Sequence, residues 1–161
     1  MKTLYLVRHG KAEDHNLSKG DYYRELVQKG LDRSEKIASE LSKLVSIDKQ
    51  SLVISSPASR AIQTAEIFCK QLSYSPNKIQ QVESIYEAHF TDILHVINQV
   101  EEDYNQLFIF GHNPGLSNLC NYLSHSEIEL ATSNVAILNL EDGINFSMLS
   151  GGSANLVKVL K

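Results

Sequence analysis

Cys69 and Cys120 are the only cysteines in this chain, and neither has a second cysteine at metal-ligand spacing. Both fall at apolar positions of helical periodicity. They therefore read as buried free thiols in a reducing compartment, not as a disulfide. Long apolar runs are missing too: nothing approaches the roughly 20 residues of a membrane-spanning helix. The short apolar run after Met1-Lys2 lacks a small-residue cleavage pattern, so no signal peptide and a cytoplasmic location are expected. Basic charge is scarce. Fifteen Lys and Arg stand against nineteen Asp and Glu, a net charge of −4. A general nucleic-acid binder draws its affinity from a positive surface, which sets that class aside; a local positive pocket is still allowed. The six histidines contain no His-x-x-x-His pair, so no metal site is expected. There is no repeat at solenoid spacing and no low-complexity segment.

What is present is an ordinary globular composition, 42% hydrophobic and 21% charged over 161 residues, which fits one domain over 1–161. Strand-like and helix-like segments alternate. Residues 4–7 form an apolar strand. A helix is expected at about 32–45, with Ile37, Ala38, Leu41, Leu44 and Val45 on one face. Residues 52–54 make a short strand, followed by helical spacing at Ala58, Ala61, Ile62, Ala65, Phe68 and Leu72. A short strand at 79–82 and a helix at 91–102, carrying Ile93, Ile97 and Val100 inward, come next. Residues 106–110 are again a strand, and Leu116, Leu119, Cys120 and Leu123 mark the buried face of the helix after it. The tail is expected to hold a hairpin of 135–140 with 146–149 through Glu141-Asp142-Gly143, then a last strand at 156–160. Such alternation implies an α/β sandwich.

Three strand ends carry unusual residues. The first apolar strand runs into Arg8-His9-Gly10, where a turn should begin. Glycine permits a tight turn or a close approach to a ligand, and ligands bind at the carboxyl ends of strands in open α/β sheets. Arginine offers a planar fork of donors to phosphoryl oxygens, and a neutral histidine can attack phosphorus. The second strand ends in Ser56-Pro57, read as N-cap and first helical residue. That places Arg60 about one turn inside a helix, where backbone donors already favour an anion. The third ends in Gly111-His112-Asn113-Pro114, with Asn113 as a cap. Each residue alone has a bland reading, a solvated arginine or a histidine satisfied by its backbone. Three strand ends bearing Arg-His, Arg and His together argue for one phosphoryl site.

Arg8-His9-Gly10, Ser56-Pro57-Ala58-Ser59-Arg60-Ala61 with Gln63-Thr64-Ala65, and Gly111-His112-Asn113-Pro114-Gly115 resemble the histidine phosphatase superfamily. Lys11-Ala12, the stretch from Asp21 to Arg24, Tyr86-Glu87-Ala88 and the short length resemble its SixA-type phosphohistidine phosphatase branch. The resemblance runs from about residue 4 to about 140. It implies a three-layer α/β/α sandwich with a mostly parallel central sheet, phosphoglycerate mutase-like, and no metal or other cofactor. The short connections leave no room for a large cap domain. An open pocket follows, suited to a phosphorylated protein, such as a histidine phosphotransfer domain, or to a small phosphoester.

The residue types give a mechanism. His9 attacks phosphorus and forms a phosphohistidine, and neighbouring cations help to keep it neutral. Arg8 and Arg60 clamp the equatorial oxygens and His112 donates a further hydrogen bond. Glu87 lies in a segment that matches the family's acid-bearing stretch. It is either the proton donor to the leaving group or an exposed loop glutamate. His89 could assist it or be incidental. Thr132, in Thr132-Ser133-Asn134, either touches phosphate or shapes its turn, while Asn16 and Ser18 are candidates for substrate contact. Lys11 is another nearby cation, or a solvated lysine; His15, His95 and His125 read as surface or capping residues. Val27 stands where the family usually has threonine before a helix, which costs a cap. Glu25 replaces a common proline and alters a loop rim. Two alternatives to a phosphohistidine phosphatase are a small-ester phosphatase, or a mutase, and a non-catalytic phosphate-binding signalling module.

Overall fold

Alternating side chains on the central strands decide the architecture. The computed structural model describes residues 1–161. On β1 (Thr3–Arg8), Leu4 and Leu6 enter one apolar cluster while Tyr5 and Val7 enter another. On β4 (Gln106–Gly111), Leu107 and Ile109 go with the first pair, Phe108 and Phe110 with the second. Both strands are thus buried on both faces, as a period of two requires of strands covered by helices on each side.

The helices that cover them come in pairs. α1 (Gln28–Ser42) and α2 (Ser59–Leu72) pack together over Tyr5, Val7, Phe108 and Phe110. α3 (Phe90–Asn98) and α4 (Gly115–Ser124) cover the opposite face. β2 (Ser51–Ser55), the two-residue β3 (Gln80–Gln81), β5 (Val135–Leu140) and β6 (Ala154–Leu160) complete a six-stranded sheet of order β3-β2-β4-β1-β5-β6. β3, β2, β4 and β1 pair in parallel, and β5 alone runs the other way, antiparallel to both β1 and β6. This is a three-layer α/β/α sandwich of mixed, mostly parallel sheet with no large cap domain. Aromatic contacts tie the layers: Tyr5 stacks on Phe108 with ring centres 4.2 Å apart, and Phe68 of α2 meets Phe110 edge-on at 5.3 Å. Cys69 and Cys120 are buried free thiols in separate clusters on opposite faces of the sheet, and burial pushes both thiols up, to about 12 and about 11.

Several elements depart from the sequence expectation. α1 starts at Gln28, earlier than residue 32, and stops at Ser42, leaving Leu44 exposed beyond it. Val27 occupies its N-cap without a side-chain cap bond. The early start brings Gly30 into the helix, where a Cβ would sit 2.1 Å from the Lys11 carbonyl oxygen. α3 ends at Asn98, and Val100 is buried from the turn after it. Residues 146–149 are not a strand. Phe146–Met148 is a 3-10 turn, because apolar residues three apart, Phe146 and Leu149, reach one core from a helical turn and not from a period-two strand. Asn98 Nδ2 fixes that turn by donating to the carbonyls of Phe146 (2.9 Å) and Leu149 (3.2 Å). β5 pairs antiparallel with β6 on the side away from β1.

Candidate active site

Register brings the three unusual strand ends together. Arg8 of β1 pairs with Gly111 of β4, and Ser55 of β2 pairs with Phe110. β2, β4 and β1 are adjacent and parallel, so His9, Ser56 and His112 emerge side by side at one edge of the sheet. Backbone bonds continue the ladder past the strands, from His9 N–H to the Gly111 carbonyl (3.1 Å) and from Ser56 N–H to that of Phe110 (2.9 Å).

The turn after β1 is clamped from three sides. Gly10 N–H donates to Thr64 Oγ1 (2.9 Å), whose hydroxyl donates to the Arg60 carbonyl (2.7 Å), joining the turn to α2. Ser133 N–H donates to both the Arg8 and His9 carbonyls at 3.1 Å, and the Ser34 and Ser133 hydroxyls meet at 2.8 Å. A Cβ on Gly10 would lie 2.7 Å from Ser34 Oγ, so this crossing needs glycine.

His9 Nδ1–H donates to the Gly10 carbonyl at 2.7 Å. That bond fixes the proton on Nδ1 and leaves a lone pair on Nε2, which accepts one long bond, 3.4 Å, from Arg60 Nε–H. Burial holds the His9 imidazole down to about 4, and the charges of Arg60, Arg8 and Arg24 add to it, against the Gly10 hydrogen bond. Proximity of cations, expected from the sequence to keep it neutral, is thus the smaller cause. His112 is held down to about 3, by burial first and then by His9 and Arg60. The two rings lie 5.2 Å apart.

Arg60 is the second residue of α2 and wholly buried. Its guanidinium donates to the Asp21 carbonyl (2.7 Å), to Asp21 Oδ2 (3.1 Å) and to Glu87 Oε1 (2.7 Å). Asp21 also takes the Tyr86 hydroxyl and Arg24. Burial opposes its ionisation, but the hydrogen bonds of Tyr86 and Arg24 and the charge of Arg60 outweigh that and hold the carboxyl well below its usual range. Burial and Asp21 push the Tyr86 hydroxyl up to about 12. Arg8 donates from Nη1 to the Leu130 carbonyl (2.9 Å), and burial lowers its guanidinium from its ordinary value.

Arg8, His9, Asp21, Arg60, Glu87 and Thr132 are on the lining of an open cavity of about 490 Å³; His112 is not, and its Nδ1 lies 3.4 Å from the lining residues Arg60 and Glu87. Lys11 and His15 are on the same lining. Asn16 is not: its Oδ1 accepts from Ser18 N–H, the Ser18 hydroxyl and Lys19 N–H, and so shapes its own loop. Glu87 is half-exposed at the mouth, 3.4 Å from His112 Nδ1. His89 accepts from Thr91 N–H and caps α3, and His125 closes the end of α4. Nothing in their local sequence singles out Tyr86 or Asp21 by role, although both lie in segments that carry the family resemblance.

Ser56 differs from its expected role. α2 begins at Ser59 with Ala58 as its N-cap, and the Ser56 hydroxyl bonds His112 Nε2 at 2.8 Å. Pro114, not Asn113, takes the N-cap position of α4; the Asn113 side chain nonetheless accepts from Ser117 N–H (3.2 Å) in its first turn.

A mostly parallel sheet between paired helices, with two histidines and two arginines gathered at or just beyond neighbouring strand ends, defines an α/β protein of the three-layer class with one cationic site. The chain belongs to the histidine phosphatase superfamily (branch 1), whose sequence model matches residues 4–117. That span contains Arg8, His9, Arg60, Glu87 and His112. Among solved structures the chain is similar to SixA of Agrobacterium tumefaciens, with 21% identity, a TM-score of 0.81, and 99% of this chain and 97% of that one covered. It is similar to the protein histidine phosphatase SixA in its tungstate complex, at 21% identity and TM-score 0.80 over 99% and 96% of the two chains. The ecdysone phosphate phosphatase of Bombix mori shares the fold at 12% identity and TM-score 0.69, over 98% and 92%. No curated protein sequence matches the chain. No helix is long and apolar enough to cross a membrane.

Proposed function

We propose that this protein is a metal-independent phosphatase that removes the phosphoryl group from phosphohistidine on a signalling protein, through a phosphorylated His9. The observation that carries this reading is the unprotonated Nε2 of a neutral His9, with its proton parked on Nδ1 against the Gly10 carbonyl. In the first step Nε2 bonds to phosphorus while the substrate's phosphorus–nitrogen bond breaks and the departing imidazole takes up a proton. In the second, a water oxygen bonds to phosphorus as its proton returns to the carboxylate that protonated the leaving group, the bond to Nε2 breaks, and orthophosphate leaves with His9 restored. Arg8 and Arg60 stabilise the charge that spreads over the equatorial oxygens, and His112 donates to one of them.

Asp21, tied to Arg24, Arg60 and Tyr86, is committed to the ionised form. Glu87 is the other carboxylate on the cavity lining, and it is assigned the proton for the leaving group. An imidazole leaves readily once protonated, so this acid matters less for phosphohistidine than for an alkyl ester. A protein substrate is supported by the open mouth and by exposed Leu17 and Tyr23 on the 12–27 loop beside it.

The test compares phosphate release, with EDTA present, from a phosphohistidine-bearing phosphotransfer domain and from p-nitrophenyl phosphate, for wild type and His9→Ala. Faster turnover of the phosphodomain, lost in His9→Ala together with acid-labile ³²P label on the protein, is expected. Turnover of the ester alone moves the substrate to small molecules. No His9-dependent release from either overturns the phosphatase reading and leaves a phosphate-binding module.

A further inference from the structure

A neutral imidazole carries one proton, and the edge that carries it decides whether the ring donates or accepts toward a ligand. For His112 the surrounding hydrogens can be counted. Arg60 Nη2 has two hydrogens, and these go to Asp21 Oδ2 (3.1 Å) and Glu87 Oε1 (2.7 Å). The two carboxylate oxygens are nearer and charged, so His112 Nδ1, at 3.4 Å, receives at most a long, shared contact from Nη2. The other neighbour of Nδ1 is Glu87 Oε1, also at 3.4 Å, an oxygen that accepts. Nδ1 therefore needs the proton.

The opposite edge gives the same answer. Ser56 is wholly buried and its Oγ already accepts from Ala58 N–H at 3.2 Å. Its one hydroxyl hydrogen has His112 Nε2 as its partner, at 2.8 Å. An O–H that donates to Nε2 requires that nitrogen to be bare. Water does not compete, since His112 is only 2% exposed.

We propose that Ser56 is a positioning residue that keeps the proton of His112 on Nδ1, so that the ring presents an N–H to the phosphoryl group. This deepens the phosphatase reading above and rests on it for the role of the N–H. His9 and His112 then share one tautomer but turn opposite edges toward Arg60, Nε2 from His9 and Nδ1 from His112. His9 is tethered by its N–H and offers a lone pair; His112 is tethered by its lone pair and offers an N–H. Since both rings are neutral, the tethers and not the charges divide their labour.

The experiment is ¹⁵N NMR of histidine-labelled protein at pH 7, resting and with inorganic phosphate, on wild type, Ser56→Ala and Ser56→Thr. Wild-type His112 is expected as the Nδ1–H form. In Ser56→Ala, with Nε2 left without a donor, the Nε2–H form becomes populated, and kcat falls about 10- to 100-fold with KM little changed. Ser56→Thr keeps the hydroxyl and restores both. An Nε2–H form in wild type, or a Ser56→Ala protein with wild-type tautomer and kcat, overturns the proposal. The resting tautomer is read without turnover, so an inactive wild type would refute the phosphatase reading and leave this measurement standing.

Discussion

An imidazolium has no lone pair to give, so the acid limit of this site is set by how firmly its histidines stay neutral. Free histidine titrates near about 6.5, whereas His9 is held down to about 4 by burial and the surrounding guanidinium charges. The expected outcome is a kcat/KM profile whose acid limb lies nearer pH 4 than 6.5, after correction for the substrate's own ionisation. A profile that falls off near 6.5 would show that His9 is not buried as described. At this scale the sequence was legible wherever a residue's neighbours in the chain define its setting. Arg8, His9, Arg60 and His112 each interrupt a strand-to-helix transition, and register then brings them together. Ser56, Asp21 and Tyr86 were not legible by role. Asp21 meets Arg60 from 39 positions away and Tyr86 from 65, and Ser56 reaches a histidine 56 positions on. A local reading made Ser56 a helix cap because serine before proline is a helix-start signal, and only packing shows which partner its hydroxyl takes.

Elements follow the same logic. β1, β2, β4 and β5 were evident from short apolar runs, and α2 from its apolar spacing. The apolar spacing marks α1 only from about residue 32, and Gly30 before it costs a helix about 1 kcal/mol relative to alanine. Tertiary packing overrides that: the helix must pass against the Lys11 carbonyl, and a Cβ would stand 2.1 Å from it. Gly30→Ala is therefore expected to lower stability by about 1–3 kcal/mol, despite alanine's better helix propensity. Thermal unfolding measures this, and a higher Tm would show that the contact is slack. Because Lys11 follows the His9-Gly10 turn, a loss of kcat should accompany the loss of Tm. The 146–149 segment was misread for a different reason: two apolar residues separated by two others fit a turn, and a hairpin-like signal before them does not change their period.

For the whole molecule, buried histidines couple stability to pH. The folded values of about 4 for His9 and about 3 for His112 lie below the unfolded value of about 6.5. Between these limits the unfolded chain binds more protons, so stability rises with pH. The contribution is fully present above about pH 6.5 and is lost as pH falls toward the folded values. Asp21, also depressed, acts in the same direction below its ordinary value of about 3.9. Urea midpoints are expected to drop from pH 7 to pH 5, and a His9→Asn/His112→Asn variant should flatten that slope. An equal slope in both proteins would place the acid sensitivity elsewhere.

The central placement of β1 and β4 also sets two clocks. Their amides are bonded to neighbours on both sides within the sheet, so they surrender hydrogen to solvent only in openings that dismantle the sheet. The residues that brace Arg60 from the front, Asp21 and Glu87, stand instead on surface segments beside 3-10 turns, which can breathe locally. His9, the proposed nucleophile, is thus bonded to the part of the molecule expected to exchange most slowly, and Asp21 and Glu87 belong to segments expected to exchange faster. Local opening of those two segments is expected to leave the backbone bond from His9 to Gly111 intact.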